Sequence, residues 1–143
     1  MRLRRVFLVI VGLLLICTLS ACRKKSQITK IYSDPDLSLD IIDIADTQLT
    51  IEITNKKAGS EVTTGNGTHF VLERNVNSVW YQMPENDVSR TYEGWICRYN
   101  EPLTQKVELS LSYRLLRSGH YRLLKEVYVD GIFCWLCAEF DLD

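Results

Sequence analysis

The chain has 143 residues, with 17 Lys and Arg against 18 Asp and Glu and a formal net charge of −1. That balance offers no basic excess, which argues against DNA or RNA as partners. Only three prolines occur, and neither a low-complexity stretch nor an internal repeat is visible.

The first segment reads MRLRRVFLVIVGLLLICTLSAC. Arg2, Arg4 and Arg5 form a positive start, and Val6 to Ile16 is apolar except for Gly12. The run is shorter than the ~20 residues a spanning helix needs, so residues 1–21 read as a removable signal helix. Leu19 to Cys22, LSAC, resembles the lipobox of bacterial lipoproteins at all four positions. The resemblance implies cleavage before Cys22 and lipidation of that cysteine, its thiol bearing a diacylglycerol through a thioether, with palmitate as the kind of chain carried. Cys22 is then the lipid attachment site, and the mature protein sits at the extracytoplasmic face of the cell membrane. One acyl chain holds a protein only marginally, whereas two hold it stably. Loss of residues 1–21 removes three arginines and no acid, leaving 14 basic and 18 acidic residues and a net charge of −4.

Residues 22–36 continue as the lipidated cysteine and RKKSQITKIYSDPD. No sustained period runs through them, so they are expected to form a flexible tether. At ~3.3 Å per residue it would lift the domain up to roughly 45 Å from the bilayer. Arg23, Lys24 and Lys25 are a solvated charged linker that also suits anionic headgroups. Residues 37–143 then make one domain of ordinary size.

From here the hydrophobic period is two. SLDIIDI places Leu39 and Ile41 on one phase and Ile42 and Ile44 on the other, which a bulge or a change of sheet would explain. QLTIEIT, Gln48 to Thr54, alternates cleanly, the pattern of a strand with one wet face. TTGNGTHF lacks the lysine and following helix of a phosphate loop and reads as a turn. THFVLER and VWYQMP flank a hairpin turn at Asn75 to Ser78. TYEGWICRY, Thr91 to Tyr99, and KVELSLSY, Lys106 to Tyr113, are predicted strands, and LLRS is a candidate helical turn. HYRLLKEVYV and IFCWLCAEFDL follow, joined by Asp130-Gly131, a strong hairpin signal. Seven to eight short strands with frequent turns predict an all-β antiparallel sandwich.

Two late motifs carry a resemblance. Tyr113, Leu116, Gly119, Tyr121, Arg122, Leu123, Leu124 and Lys125 lie at the spacing of a bacterial immunoglobulin-like domain family. Gly67, Phe70, Leu72, Glu73, Trp80, Tyr81 and Pro84 match its earlier motif. Arg114 departs from that pattern, and so do Ser78 and Val79, where the family often carries glycine. The resemblance spans roughly Leu39 to Leu142 and implies an immunoglobulin-like sandwich without specifying an activity. Within it Tyr113, Gly119, Tyr121 and Trp80 are assigned structural roles. Gly119 two before Tyr121 suits a tyrosine corner, in which the hydroxyl bonds backbone a few residues upstream. Glu73 and Arg122 are either solvated face residues or a cross-strand pair.

No nucleophile elbow, His-x-x-x-His pair or phosphate loop is present, so the chain reads as non-catalytic, with no cofactor. Cys134-x-x-Cys137 is followed by only six residues, too few for the helix that activates a redox thiol. In a strand the two cysteines lie about 10 Å apart on opposite faces, beyond the ~7 Å limit of a disulfide. Cys97 pairs with Cys134, or all three thiols stay reduced. A zinc site would need Cys97 and a histidine as well, and no metal is assigned. Phe133 and Trp135 project from the other face, with Tyr128 on the preceding strand. They are either covered or form a partner patch. The residues therefore point to a membrane-anchored binding or structural module that engages a surface protein or wall polymer. The alternative is a small-ligand or metal-responsive sensor using Cys97, Cys134 or Cys137.

Overall fold

Alternating apolar residues build the molecule strand by strand in a computed structural model that describes residues 24–65, 67–88, 93–114 and 116–143. The signal segment and Cys22 lie outside the described residues. Strand β3, Gln48–Asn55, is the clearest case, with Leu49, Ile51 and Ile53 buried and the residues between them half-exposed. It pairs antiparallel with β2, Leu37–Ala45, and with β7, Leu103–Glu108, to give a three-stranded sheet. The register of β2 shifts between Ile41 and Asp43. This bulge accounts for the phase change in SLDIIDI, because it leaves Ile42 and Ile44 facing solvent after Leu37 and Leu39 have entered the core.

The larger sheet has β8, Gly119–Val129, at its centre. Along one side of β8 lie β5, Val71–Val76, and then β4, Val62–Thr64. Along the other runs β9, Ile132–Leu142, paired over its full length. Beyond β5 come β6, Val79–Gln82, and the two-residue β1, Lys24–Lys25. Two turns fix these registers. Asn77 and Ser78 between β5 and β6, and Asp130 and Gly131 between β8 and β9, all have positive φ, the backbone of a tight turn that follows the sheet's twist.

The two sheets face each other across one core. Leu37, Leu39, Leu49, Ile51 and Ile53 of the small sheet meet Leu72, Tyr121, Leu123, Val127, Leu136 and Phe140 of the large one. The chain is thus the antiparallel immunoglobulin-like sandwich that the motifs imply, with nine strands among the described residues.

Three expectations are corrected. KVELSLSY is a strand only to Glu108; Leu109–Ser112 forms one helical turn, α1. The Glu108 carboxylate accepts from the Ser110 N–H and Oγ and from Thr47 Oγ1, so it caps the turn. Leu109 is buried and Leu111 is 67% exposed, which a continued strand would not give. The helical turn therefore precedes LLRS instead of lying in it. Second, the described part of TYEGWICRY forms isolated bridges only, Thr63 with Ile96 and Asn55 with Tyr99, as the chain passes from one sheet to the other. Third, residues 24–36 are not a free tether. Their backbone bonds both edges of the large sheet, β6 on one side and β9 on the other.

Candidate functional site

The outer face of the large sheet, turned away from the core, carries its residues in cross-strand rows. Gln82, Glu73, Arg122 and Glu139 form one row, and Val71, Leu124 and Cys137 the next. Glu126 and Trp135 follow, then Ile96, Thr63, Tyr128 and Phe133 beside the Asp130-Gly131 turn.

The N-terminal segment straps across the first of these rows. β1 lies on β6, and the Ser26 N–H donates to the Trp80 carbonyl at 2.9 Å. At the opposite edge the Tyr32 N–H donates to the Trp135 carbonyl at 2.8 Å, and Ile31 bridges Trp135 in parallel. Asp34 then anchors the strap to Lys57, which together with Tyr32 and the Asp36 N–H holds its carboxyl down at about 2. Polar side chains in residues 24–36 gave no sign of this. The strap is made by backbone hydrogen bonds to distant strands, which leave no local period.

Beneath it sits a buried ion pair. Glu73 is 1% exposed, and its Oε2 accepts from Arg122 Nη2 at 2.6 Å and from Nε at 2.7 Å. Arg122 also donates to Ser26 Oγ and the Ile28 carbonyl at 3.4 and 3.5 Å, and Trp80 covers its guanidinium at 4.6 Å. The pair left open by the sequence is therefore a cross-strand pair. The strap's backbone and the Trp80 ring exclude solvent from it.

Of the four residues assigned structural roles, Tyr113, Gly119 and Tyr121 act at crossovers, whereas Trp80 stands on the outer face of β6 and outside the core. The Tyr121 hydroxyl donates to the Arg117 carbonyl at 2.6 Å and accepts its N–H at 3.2 Å, the bonding of a tyrosine corner. Gly119 has φ 151, and a Cβ there would come within 3.0 Å of Arg74 Nε. That guanidinium donates to the Ser118 carbonyl and lies over the Tyr121 ring. Tyr113 reaches the other end of the sheet, donating to the Phe70 carbonyl at 2.6 Å and accepting the Leu72 N–H at 3.1 Å. Trp80 is the lid on Arg122.

The structure brings Tyr128, Phe133 and Trp135 together. The Phe133 ring stands edge-on to Trp135 at 5.5 Å and to Tyr128 at 5.8 Å. The strap takes Trp135's carbonyl and leaves its side chain half-buried, whereas Phe133 remains 47% exposed. The band extends further than the sequence showed. Ile96, 62% exposed, lies across Thr63 in the same row. Ile132, 73% exposed at the turn, pairs with Val129 and lies on the opposite phase of β9 from Phe133, so it stands outside the band. Ile96 was missed because its partner strand is distant in sequence.

The three described cysteines are free thiols, so Cys97 and Cys134 are not bonded. Cys97 and Cys134 pack with the core, and Cys137 lies on the outer face near Arg122. Burial pushes the thiols of Cys97 and Cys137 up to about 11 each, and that of Cys134 up as well. Such thiols are protonated and unreactive at neutral pH. Among the described residues no three His, Cys, Asp or Glu side chains are grouped to hold a metal.

His120 sits between two carboxylates at the strap-entry end, with Nδ1 2.9 Å from Asp141 and Nε2 3.0 Å from Glu139. Asp141, then Glu139, raise its pKa above the ordinary histidine value. A raised folded pKa gives stability that is full below the unfolded value near 6.5 and is lost as pH rises through the folded one. Urea midpoints of wild type and His120→Gln are therefore expected to differ at pH 5.5 and to converge toward pH 8. A gap that widens with pH contradicts the assignment.

Against protein families, the model described as a bacterial Ig-like domain matches residues 35–141, most of the chain. No curated protein and no solved structure matches it.

Proposed function

The chain belongs to the bacterial Ig-like domain family, and from that premise we propose that it is a lipid-anchored, extracytoplasmic and non-catalytic module that binds a cell-surface partner. The observation that carries this reading is the aromatic band. Tyr128, Phe133 and Trp135 interlock edge to face, with exposed Ile96 across Thr63 in the same row. Monomeric domains seldom leave aromatic and aliphatic side chains contiguous and exposed unless something docks there. Tyr and Trp are also the residues that dominate binding energy at interfaces. The exposed aliphatic side chain of Ile96 in that row favours a protein partner, whose apolar groups can cover it. The protonated thiols give the sensor alternative no support. The lipobox supplies the anchor at Cys22.

The test joins both halves. Palmitate labelling is expected in the wild type and lost in Cys22→Ala. A photo-crosslinker at Tyr128 on intact cells is expected to capture a discrete surface protein. A hot spot at Trp135 or Phe133 is worth at least about 2 kcal/mol, so Trp135→Ala or Phe133→Ser should weaken that capture by roughly thirtyfold. Unchanged capture in both variants rejects the band as the docking face. Crosslinking to wall polymer instead of protein would move the partner class.

A further inference from the structure

We propose that the β1–β6 edge of the large sheet is seated directly on the bilayer, with no leash between lipid and domain. The proposal rests on the reading that Cys22 is acylated. β1 begins at Lys24, two residues beyond Cys22, and two residues of chain span at most about 7 Å. From Lys24 onward the backbone has no slack. Lys24 pairs with Gln82 and Lys25 with Tyr81, and Ser26 bonds Trp80. The Arg122 guanidinium reaches Ser26 and Ile28, and Tyr32 bonds Trp135. A lipid on Cys22 is thus attached, within a few ångströms, to a strand of the sandwich itself.

Charge selects the same surface. Lys24 and Lys25 are exposed, and Arg23 precedes them, a basic cluster in a mature chain of net charge −4. Cations so placed are drawn to anionic headgroups while the rest of the domain is repelled. A two-residue edge strand is also too short to template another chain, which leaves the bilayer as the occupant of this edge. Neighbouring strands lie about 4.8 Å apart, so β9, four strands from β1, stands about 19 Å further from the membrane when the sheet rises from that edge. The aromatic band on the outer face then looks along the membrane.

The full-length lipidated protein is reconstituted in phosphatidylcholine–phosphatidylglycerol vesicles that carry a short-range quencher on the headgroups. A fluorescent amino acid is placed at Gln27 in one sample and at Asp130 in another. Quenching is expected to be several-fold stronger at Gln27. A roughly ten-residue Gly/Ser insertion between Arg23 and Lys24, a coil of about 17 Å, should abolish the difference. The insertion lies outside the hydrogen-bonded strap, so an unchanged melting temperature verifies the fold. Protein that floats with the vesicles yet shows weak quenching at Gln27, unaffected by the insertion, overturns the seat and leaves the anchor standing. Protein that carries no lipid and does not float overturns both.

Discussion

Glu73→Gln is expected to lower the unfolding free energy by about 3–5 kcal/mol, because it strands Arg122 as an unpaired buried cation. Glutamine keeps the volume, so no cavity contributes and the loss is electrostatic. The carboxylate gives Arg122 two charge-assisted bonds at 2.6 and 2.7 Å. The remaining contacts, Ser26 Oγ and the Ile28 carbonyl at 3.4 and 3.5 Å and the Trp80 face, are too long or too weak to replace them. The double variant Glu73→Leu/Arg122→Met is expected to cost far less than either single change, since an apolar pair removes the desolvation cost of both charges. Urea unfolding with a double-mutant cycle measures this. A loss below about 1 kcal/mol for Glu73→Gln would show that water reaches the pair and that the strap does not seal it. Hydrogen exchange gives an independent readout. The Ser26 N–H bonded to Trp80 should exchange faster in Glu73→Gln, because Arg122 also steadies the strap from below.

How much of this was legible depended on whether a residue's partner lies nearby in sequence. β3 was readable because each of its residues alternates against its neighbour. The β8–β9 hairpin was readable because Asp130 and Gly131 favour the positive φ that its turn requires. The bulge in β2 showed as a change of phase. α1 did not show, because Leu109 and Leu111 fit a strand as well as a turn, and the capping by Glu108 competes only once Thr47 is beside it. The strap was unreadable in principle. Ser26 and Tyr32 use backbone N–H groups, which every residue carries, to reach strands more than fifty residues away. Cys134 and Cys137 were placed on opposite faces by strand phase alone. The site was half legible in the same way. Phe133 and Trp135 stood out as bulky residues on the wet phase, but Ile96 joined them only through β4.

Tyr113→Phe is expected to cost about 2–4 kcal/mol, since two backbone groups lose a buried partner and each carries a desolvation penalty of about 1–3 kcal/mol. The hydroxyl stands between the Phe70 carbonyl and the Leu72 N–H, with Glu85 Oε1 at 3.2 Å. Phe70 and Leu72 are core residues at the start of β5, so water cannot take the oxygen's place. Tyr113 itself ends α1, its N–H donating to the Leu109 carbonyl. One oxygen therefore fastens the helical turn after β7 to the opposite sheet. Tyr121→Phe supplies the contrast. Its hydroxyl serves Arg117, an exposed residue whose freed backbone groups can turn to water. That change is expected to cost about 1 kcal/mol, the net worth of an ordinary hydrogen bond. The two variants remove the same atom from the same residue type, so denaturant midpoints compare the environments alone. Equal losses would mean that solvent reaches both hydroxyls, and that the Tyr113 bond does not hold the sheets together.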